Sequence, residues 1–509
     1  MRFGSAMRLL LLGLFAPAAA LLSSAHAQTL LLTLDSPNPQ ARADFGSSVA
    51  VGDINGDGKG DVAVGAVFEN VGPISDAGRV YVISGAGGSL LLTLDTPNPR
   101  ANGTFGSSVA VGDVNGDGKG DIAVGAPGED MGGRVYVFSG TDGSLLRTLN
   151  TPNPRWGGAV FGRCVAVGDV NGDGKKDIAV GSASEFVGGI PSGRAYVFSG
   201  ADGSVLLTLD TPNPQAYAGF GSSVAVGDVN GDGGPDIAVG AIDEIVGGVR
   251  NAGRAYVFSG ADGSLLFTLD TPNLPPDPAA WVYFGSSLAV GDVNGDGKGD
   301  IAVGAPYEDV GGNEWQGRAY VFSGGDGCLL FTLDTPNPDP PGAFNFGDSL
   351  AVGDVNGDGN GEIAVGAPYE RGNGNISQGR AYVFSGPTGS PIFTLDTPNP
   401  QMQSLFGDSV AVGDVNGDGK GDIAVGAPCE DVGGNDYQGR AYVFSAPVPT
   451  PTPLPGVGGA VKLPLAAIAA DSGVQAEGSG WSAGAYAALG GMAVVIAVGG
   501  WYARRRWLR

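Results

Sequence analysis

Seven times along this chain, a nine-residue stretch sets oxygen-bearing side chains at positions 1, 3, 5 and 9. The second copy reads DVNGDGKGD and supplies Asp113, Asn115, Asp117 and Asp121. The first supplies Asp53, Asn55, Asp57 and Asp61, the third Asp169, Asn171, Asp173 and Asp177, and the fourth Asp228, Asn230, Asp232 and Asp236. The fifth supplies Asp292, Asn294, Asp296 and Asp300, the sixth Asp354, Asn356, Asp358 and Glu362, and the seventh Asp414, Asn416, Asp418 and Asp422. Alternating oxygens on a tight turn are expected to converge on one point, and Gly116 and Gly118 let the backbone curl with positive φ. Position 7 would add a backbone carbonyl, from Lys59, Lys119, Lys175, Gly234, Lys298, Asn360 and Lys420, with the lysine side chains pointing to water. Such a set is an oxygen cage for a hard cation at Ca2+ spacing. It offers no soft donor for zinc or copper.

An EF-hand loop would need a bidentate Glu at position 12 and a helix on each side. Position 12 here is Val124, inside an expected strand, so the unit is a β-hairpin calcium loop. The plainer reading takes N-G and D-G as hairpin-turn residues only; seven copies with one carboxylate spacing outweigh it. Glu362 lengthens the arm at position 9 of the sixth loop, and Pro235 removes one N–H at position 8 of the fourth. Both loops are still expected to bind, giving up to seven structural Ca2+ ions.

The elements that must hold these loops repeat with them. Phe45, Phe105, Phe161, Phe220, Phe284, Phe346 and Phe406 open the units at spacings of 60, 56, 59, 64, 62 and 60 residues. A fixed period of this kind signals one repeat architecture. In the second unit Ser108–Gly112 reads as a strand, then the acidic loop, then Ile122–Gly125, then Gly133–Phe138 and Ser144–Leu149. Four short antiparallel strands per unit, seven times over, predict an all-β, seven-bladed β-propeller. The seventh unit stops at GRAYVFSAP without a fourth strand, and the chain opens with TLLLTLDSPNP, a fourth strand with no blade before it. Thr29–Leu34 should therefore pair with Arg440–Phe444 and close the ring, leaving no long exposed edge. No amphipathic helical period appears between residues 28 and 446.

The net charge of −25 argues against nucleic acid or anionic lipid as a partner. The seven loops carry 21 of the 52 acidic residues, so much of that charge is placed rather than scattered. Residues 1–27 read as a secretory signal with an A-x-A-like site before Gln28; the alternative is an uncleaved anchor. Residues 28–446 form the propeller, and 447–482 a Pro/Gly/Ala-rich linker. Residues 483–503 read as a transmembrane helix, and 504–509 as a basic cytoplasmic tail that leaves the repeats outside the cell. A cleaved C-terminal sorting signal is the alternative there. Cys164, Cys328 and Cys429 lie singly in different units, at Ser-like or loop positions, and do not make a disulfide framework.

Phe105-Gly106, the acidic loop and Gly125-Ala126-Pro127 together resemble the FG-GAP repeat family, whose best-known members are the propeller heads of integrin α subunits. The likeness covers residues 28–446. GAP is complete at Gly304-Ala305-Pro306, Gly366-Ala367-Pro368 and Gly426-Ala427-Pro428, and departs at Val67, Ser182-Ala183 and Ile242. The resemblance implies extracellular partner binding with calcium on the propeller's lower face.

Loops alternate faces in such a meander, so the calcium loop and the A-D-G turn share one face. The loops after GAP and after TPNP share the other, and they collect Trp156, Tyr217, Trp281, Tyr283, Tyr307, Trp315, Tyr369 and Tyr437. Tyr and Trp are common interface anchors; the alternative is that the rings pack between blades. Arg79, Arg134, Arg194, Arg254, Arg318, Arg380 and Arg440 recur in GRxYV and are expected to pair from blade to blade. The single histidine, His26, falls in the signal segment, so no His-based catalysis is expected. The sequence thus points to an extracellular adhesion propeller that binds a protein or matrix partner, with a calcium-dependent lectin as the alternative and a two-carboxylate glycosidase behind it.

Overall fold

The computed structural model describes residues 28–130, 132–153, 160–337, 344–372 and 374–446. The expected signal segment, linker, transmembrane helix and basic tail lie outside the described residues, as does Trp156. Among the described residues no helix is long and apolar enough to cross a membrane.

Seven four-stranded antiparallel sheets form the propeller. Blade 1 consists of Phe45–Gly52, Asp61–Ala66, Arg79–Ile83 and Leu90–Asp95. Blade 2 begins at Ser108–Gly112 and blade 3 at Phe161–Gly168; blades 4, 5 and 6 begin at Phe220–Gly227, Leu288–Gly291 and Leu350–Gly353. Blade 7 takes Val410–Gly413, Asp422–Ala427 and Arg440–Ser445 from the end of the described chain and Thr29–Asp35 from its start. Thr29 pairs with Ser445 and Asp35 with Arg440, the expected ring closure.

Burial follows strand order. Each second strand is buried throughout, as its unbroken run of Val, Ile, Ala and Gly requires. Fourth strands alternate, exposing their first residue and burying one Leu, the pattern of an outer strand with one wet face. First strands of successive blades touch around the centre. The core lies between blades rather than within one. Ile54, Val80 and Val82 of blade 1 pack on Phe105, Ile122, Val124 and Tyr136 of blade 2. Phe105 meets Tyr136 at 6.0 Å and Phe138 edge-on at 5.9 Å, and six other blades repeat the Phe–Tyr contact. This is why Phe opens every unit.

Two recurrent hydrogen bonds cross the seams. The phenylalanine N–H donates to the preceding blade, as from Phe105 to Ala77 O (3.0 Å) and from Phe284 to Ala252 O (3.0 Å). A hydroxyl two residues past the FG pair donates to the glycine carbonyl of the next FG, as from Ser48 to Gly106 O (2.8 Å). Sequence reading did not anticipate a small hairpin in blade 3, Phe186–Val187 with Ile190–Pro191. Isolated bridges such as Val71 with Ile74 and Val432 with Asn435 mark the same turn in other blades. The post-GAP loops of blades 1 and 3 to 7 vary in sequence but share this local geometry.

Candidate calcium loops and ligand face

Each acidic loop is organised by its own carboxylates. In blade 2 Asp113 Oδ1 accepts from the Gly116 and Asp117 N–H groups (2.6 and 3.0 Å), and Oδ2 from Gly118 (2.8 Å). Asn115 Oδ1 accepts from Asp117 N–H (2.7 Å), and Asp117 Oδ1 from Lys119 N–H (3.0 Å). Gly116 and Gly118 sit at φ 81° and 85°, so side chains there would strain the curl. Asp121, at position 9, is buried and accepts four N–H groups. Val114 and Asn115 donate to Oδ2 (both 2.9 Å), and Gly140 and Asn115 Nδ2 to Oδ1 (3.1 and 3.2 Å). The bond from Gly140, in the turn after the third strand, puts that turn and the acidic loop on one face as expected.

Burial pushes the Asp121 carboxyl up, and the charge of Asp117 adds to it. No ion pair among the described residues serves position 9. Glu362 reproduces the pattern with a longer arm, accepting from Val355 and Asn356 N–H (2.9 and 3.1 Å), and burial pushes it up to about 7. Among the described residues no three Asp, Glu, Cys or His side chains stand together as a ready-made metal cage. The donor set nevertheless fits a hard cation. It is all oxygen, it carries three carboxylates per loop, and its buried member lacks a cation, which a buried carboxylate normally has.

Lysine at position 7 does not simply point to water. The Lys119 stem lies over Gly56 of the preceding blade's loop, and Lys59 over Gly417. Apolar stems cover backbone in this way while keeping the ammonium wet. The position-8 N–H also reaches the preceding loop. Gly120 donates to Asp53 O (2.7 Å), Gly299 to Asp228 O (2.6 Å), and Gly60 to Asp414 O (2.6 Å). The loops therefore form a hydrogen-bonded belt, and the N–H that Pro235 lacks is the one that would continue it.

On the opposite face four rings gather in one patch. Trp281 and Trp315 stack at 5.9 Å with planes 6° apart. Tyr283 meets Tyr307 at 5.1 Å, and Tyr307 meets both indoles. Trp281 stays 45% and Trp315 41% exposed. Tyr369 and Tyr437 instead line a cavity of about 230 Å3 with Ser377, Gln403, Leu405 and Cys429. Tyr217 stands apart, 76% exposed.

The FG-GAP repeat profile matches residues 45–83, 105–138, 161–198, 220–258, 284–322, 346–384 and 406–444. The chain belongs to the FG-GAP repeat family. Its matches among curated proteins include integrin alpha-PS5 of Drosophila melanogaster, 38% identical over 35% of this chain and 18% of that protein. They also include integrin alpha-4 of Xenopus laevis, 27% identical over 48% of this chain and 23% of that protein. A third is integrin alpha-IIb of Mus musculus, 35% identical over 43% of this chain and 21% of that protein. The matched regions span about a fifth of the length of these relatives.

Within the FG-GAP blades the recurrent arginines pair inside their own blade, not from blade to blade. Arg79 meets Glu69 and Asp95, both at 2.5 Å, and Arg318 meets Glu308 (2.9 Å) and Asp334 (2.6 Å). The third strand presents Arg directly opposite the Asp that ends the fourth, as Arg79 opposite Asp95, so the near partner wins. Blade 2 carries Asn150 there, and Arg134 turns to Asp130 instead (2.6 Å).

The glutamate in this network was not singled out from sequence. Glu69, Glu129, Glu185, Glu244, Glu308, Glu370 and Glu430 are each at most 2% exposed and stand three residues past the last residue of the second strand. Glu308 accepts from Arg318, from Tyr320 OH (2.7 Å) and from Asn273 Nδ2 (2.7 Å). Asn273 belongs to the TPN segment leaving the previous blade, so the blade-to-blade link runs through asparagine. The fixed offset from GAP was the available signal.

Proposed function

We propose that this chain is a calcium-stabilised extracellular adhesion protein. Residues 1–27 direct export, and residues 483–503 hold the propeller at the outer surface of the membrane. Calcium is held by the oxygens at positions 1, 3, 5 and 9 of each loop with the position-7 carbonyl, and it stiffens the hairpin between the first two strands. The role is structural, and no enzymatic role is proposed. The integrin alpha relatives support an adhesion reading, and the donor set supports calcium.

The observation that carries the partner assignment is the grouping of Trp281, Tyr283, Tyr307 and Trp315. A protein or matrix partner is held by one composite patch, whereas a lectin would repeat a similar site blade by blade. The four rings occur together at one place, and the rings of Tyr369, Tyr437 and Tyr217 are arranged differently. The exposed indole faces are what favours carbohydrate as the second reading. The test is a glycan array beside a surface pull-down, each with Trp281→Ala and Trp315→Ala. The proposal expects a blank array and a captured protein that both substitutions release. A glycan hit abolished by either substitution would replace it with the lectin.

A further inference from the structure

We infer that the propeller ring has one built-in point of opening, the seam between blades 3 and 4. Three contacts recur at the seams of the ring, and all three are weakened or missing at this one.

The first is the hydroxyl bond beside the FG pair. Six seams have serine, with Ser48, Ser108, Ser223, Ser287, Ser349 and Ser409 donating to the next FG glycine carbonyl at 2.6–3.1 Å. Blade 3 has Cys164, whose Sγ reaches Gly221 O at 3.3 Å. A thiol is a much weaker donor than a hydroxyl.

The second is the belt of acidic loops. Gly60, Gly120, Lys176, Gly299, Gly361 and Gly421 donate their N–H to the preceding loop. Position 8 of loop 4 is Pro235, which has no N–H, so the carbonyl of Asp169 receives none from blade 4. The third is the position-7 side chain. Lys119, Lys175, Lys298, Asn360, Lys420 and Lys59 lie over the glycine at position 4 of the preceding loop. Loop 4 has Gly234, and Gly172 beneath it meets nothing within 4 Å.

The seam is still closed by packing. Val170, Val197 and Leu209 of blade 3 meet Phe220, Ile237 and Tyr256 of blade 4. The strand-entry bond from Phe220 N–H to Ser192 O is kept at 3.0 Å, and so is the bond three residues earlier, from Tyr217 N–H to Pro191 O at 2.7 Å, which other seams make from Asn102 to Ser75 (3.1 Å) and from Gln403 to Ile376 (2.9 Å). The bonds that are kept lie at the ligand-face end and the lost belt bond at the acidic-loop end. The blades therefore part from the acidic-loop face and pivot about the ligand face. Local opening of this kind starts where polar cross-links are fewest.

Cys164 reports the event. As a residue it is only partly covered, but its thiol is turned into the seam, where burial pushes it up to about 12. It reacts slowly while the ring is closed. Cys328 is exposed, and Cys429 lies away from this seam in blade 7, so both serve as internal references.

The experiment is N-ethylmaleimide labelling of the full-length chain, native and in sub-denaturing urea, with each cysteine followed by mass spectrometry. Cys328 should label first. Cys164 should label well before global unfolding, which tyrosine and tryptophan fluorescence follows in parallel. Pro235→Gly restores the belt donor and Gly234→Lys the covering stem, each using the residue found at that position in other loops. Together they should slow Cys164 labelling by about five- to tenfold, the factor for one net hydrogen bond, and leave Cys429 unchanged. Labelling of Cys164 only with global unfolding would overturn the inference, as would labelling as fast as Cys328. An unchanged rate in the double variant would overturn it too. Backbone hydrogen exchange of residues 220–227, faster than in the first strands of other blades and slowed by the same variants, is the second readout.

Discussion

Asp300→Asn separates what position 9 does without calcium from what it does with it. The carboxylate of Asp300 is fully buried. Its Oδ2 accepts from Val293 N–H (3.0 Å) and Asn294 N–H (3.3 Å), and its Oδ1 from Asn294 Nδ2 (3.2 Å) and Gly324 N–H (3.1 Å). Asparagine has one acceptor oxygen, so its NH2 must face one of these donor pairs. Two bonds are lost, each costing about 1.5–3 kcal/mol for a charged acceptor. Burial holds the Asp300 carboxyl above its usual range, so removing the charge returns part of that cost. The net expectation is a loss of about 2–4 kcal/mol in calcium-free protein. Asp296→Asn is the control. Asp296 is exposed and its side chain accepts one backbone bond, from Lys298 N–H at 2.9 Å, so its calcium-free cost should stay under about 1 kcal/mol. Both variants should lose part of the stabilisation that calcium adds, since each removes a ligand charge. Urea denaturation with and without calcium measures all four quantities. Equal calcium-free midpoints for the two variants would refute the four-donor argument.

Arg318→Ala should cost about 3–5 kcal/mol, because it strands the buried Glu308 carboxylate without a cation. Arg134→Ala should cost less, since Arg134 pairs with the half-exposed Asp130; comparable urea midpoints would contradict the network. On the ligand face, burial first and then Asp348 and Asp44 push Asp408 up to about 8. A carboxyl raised on folding binds protons more tightly in the folded state, so its contribution is present at low pH and lost as pH rises from about 4 to 8. Asp408→Asn should therefore flatten the fall in calcium-free stability between pH 5 and pH 8, read from urea midpoints; parallel slopes for the two proteins would refute it.

The architecture was legible because each element left an independent mark. The seven Phe-Gly openings gave blade number, N-G and D-G marked the hairpins, and the orphan strand TLLLTLD matched the blade lacking one. The within-blade pairing of Arg79 was not legible, because sequence shows that Arg and Asp recur but not that strand register sets them opposite. Glu69 and its six counterparts recur as faithfully as the arginines. In sequence an acidic residue in a loop reads as solvated, and only the fold shows this loop folded back onto Tyr81. The belt between acidic loops was invisible for a similar reason. Its donor is a backbone N–H, which leaves no trace in sequence except where proline removes it. The grouping of Trp281 and Tyr283 with Tyr307 and Trp315 was not legible, because it depends on the segment entering blade 5 meeting that blade's own post-GAP loop in space.

Calcium is the claim on which the account turns, and a calorimetric calcium titration of the propeller paired with its melting temperature in chelator tests it most directly. Extracellular calcium modules bind at about 0.1–1 mM, which at about 1 mM calcium gives each loop roughly 0.4–1.4 kcal/mol of stabilisation. Seven loops then give about 3–10 kcal/mol, comparable to the whole stability of a typical domain. The expected result is a stoichiometry approaching seven and a melting temperature that falls sharply when calcium is removed. No heat of binding, with an unchanged melting temperature in chelator, would show that the carboxylates only shape hairpin turns and would contradict the calcium reading.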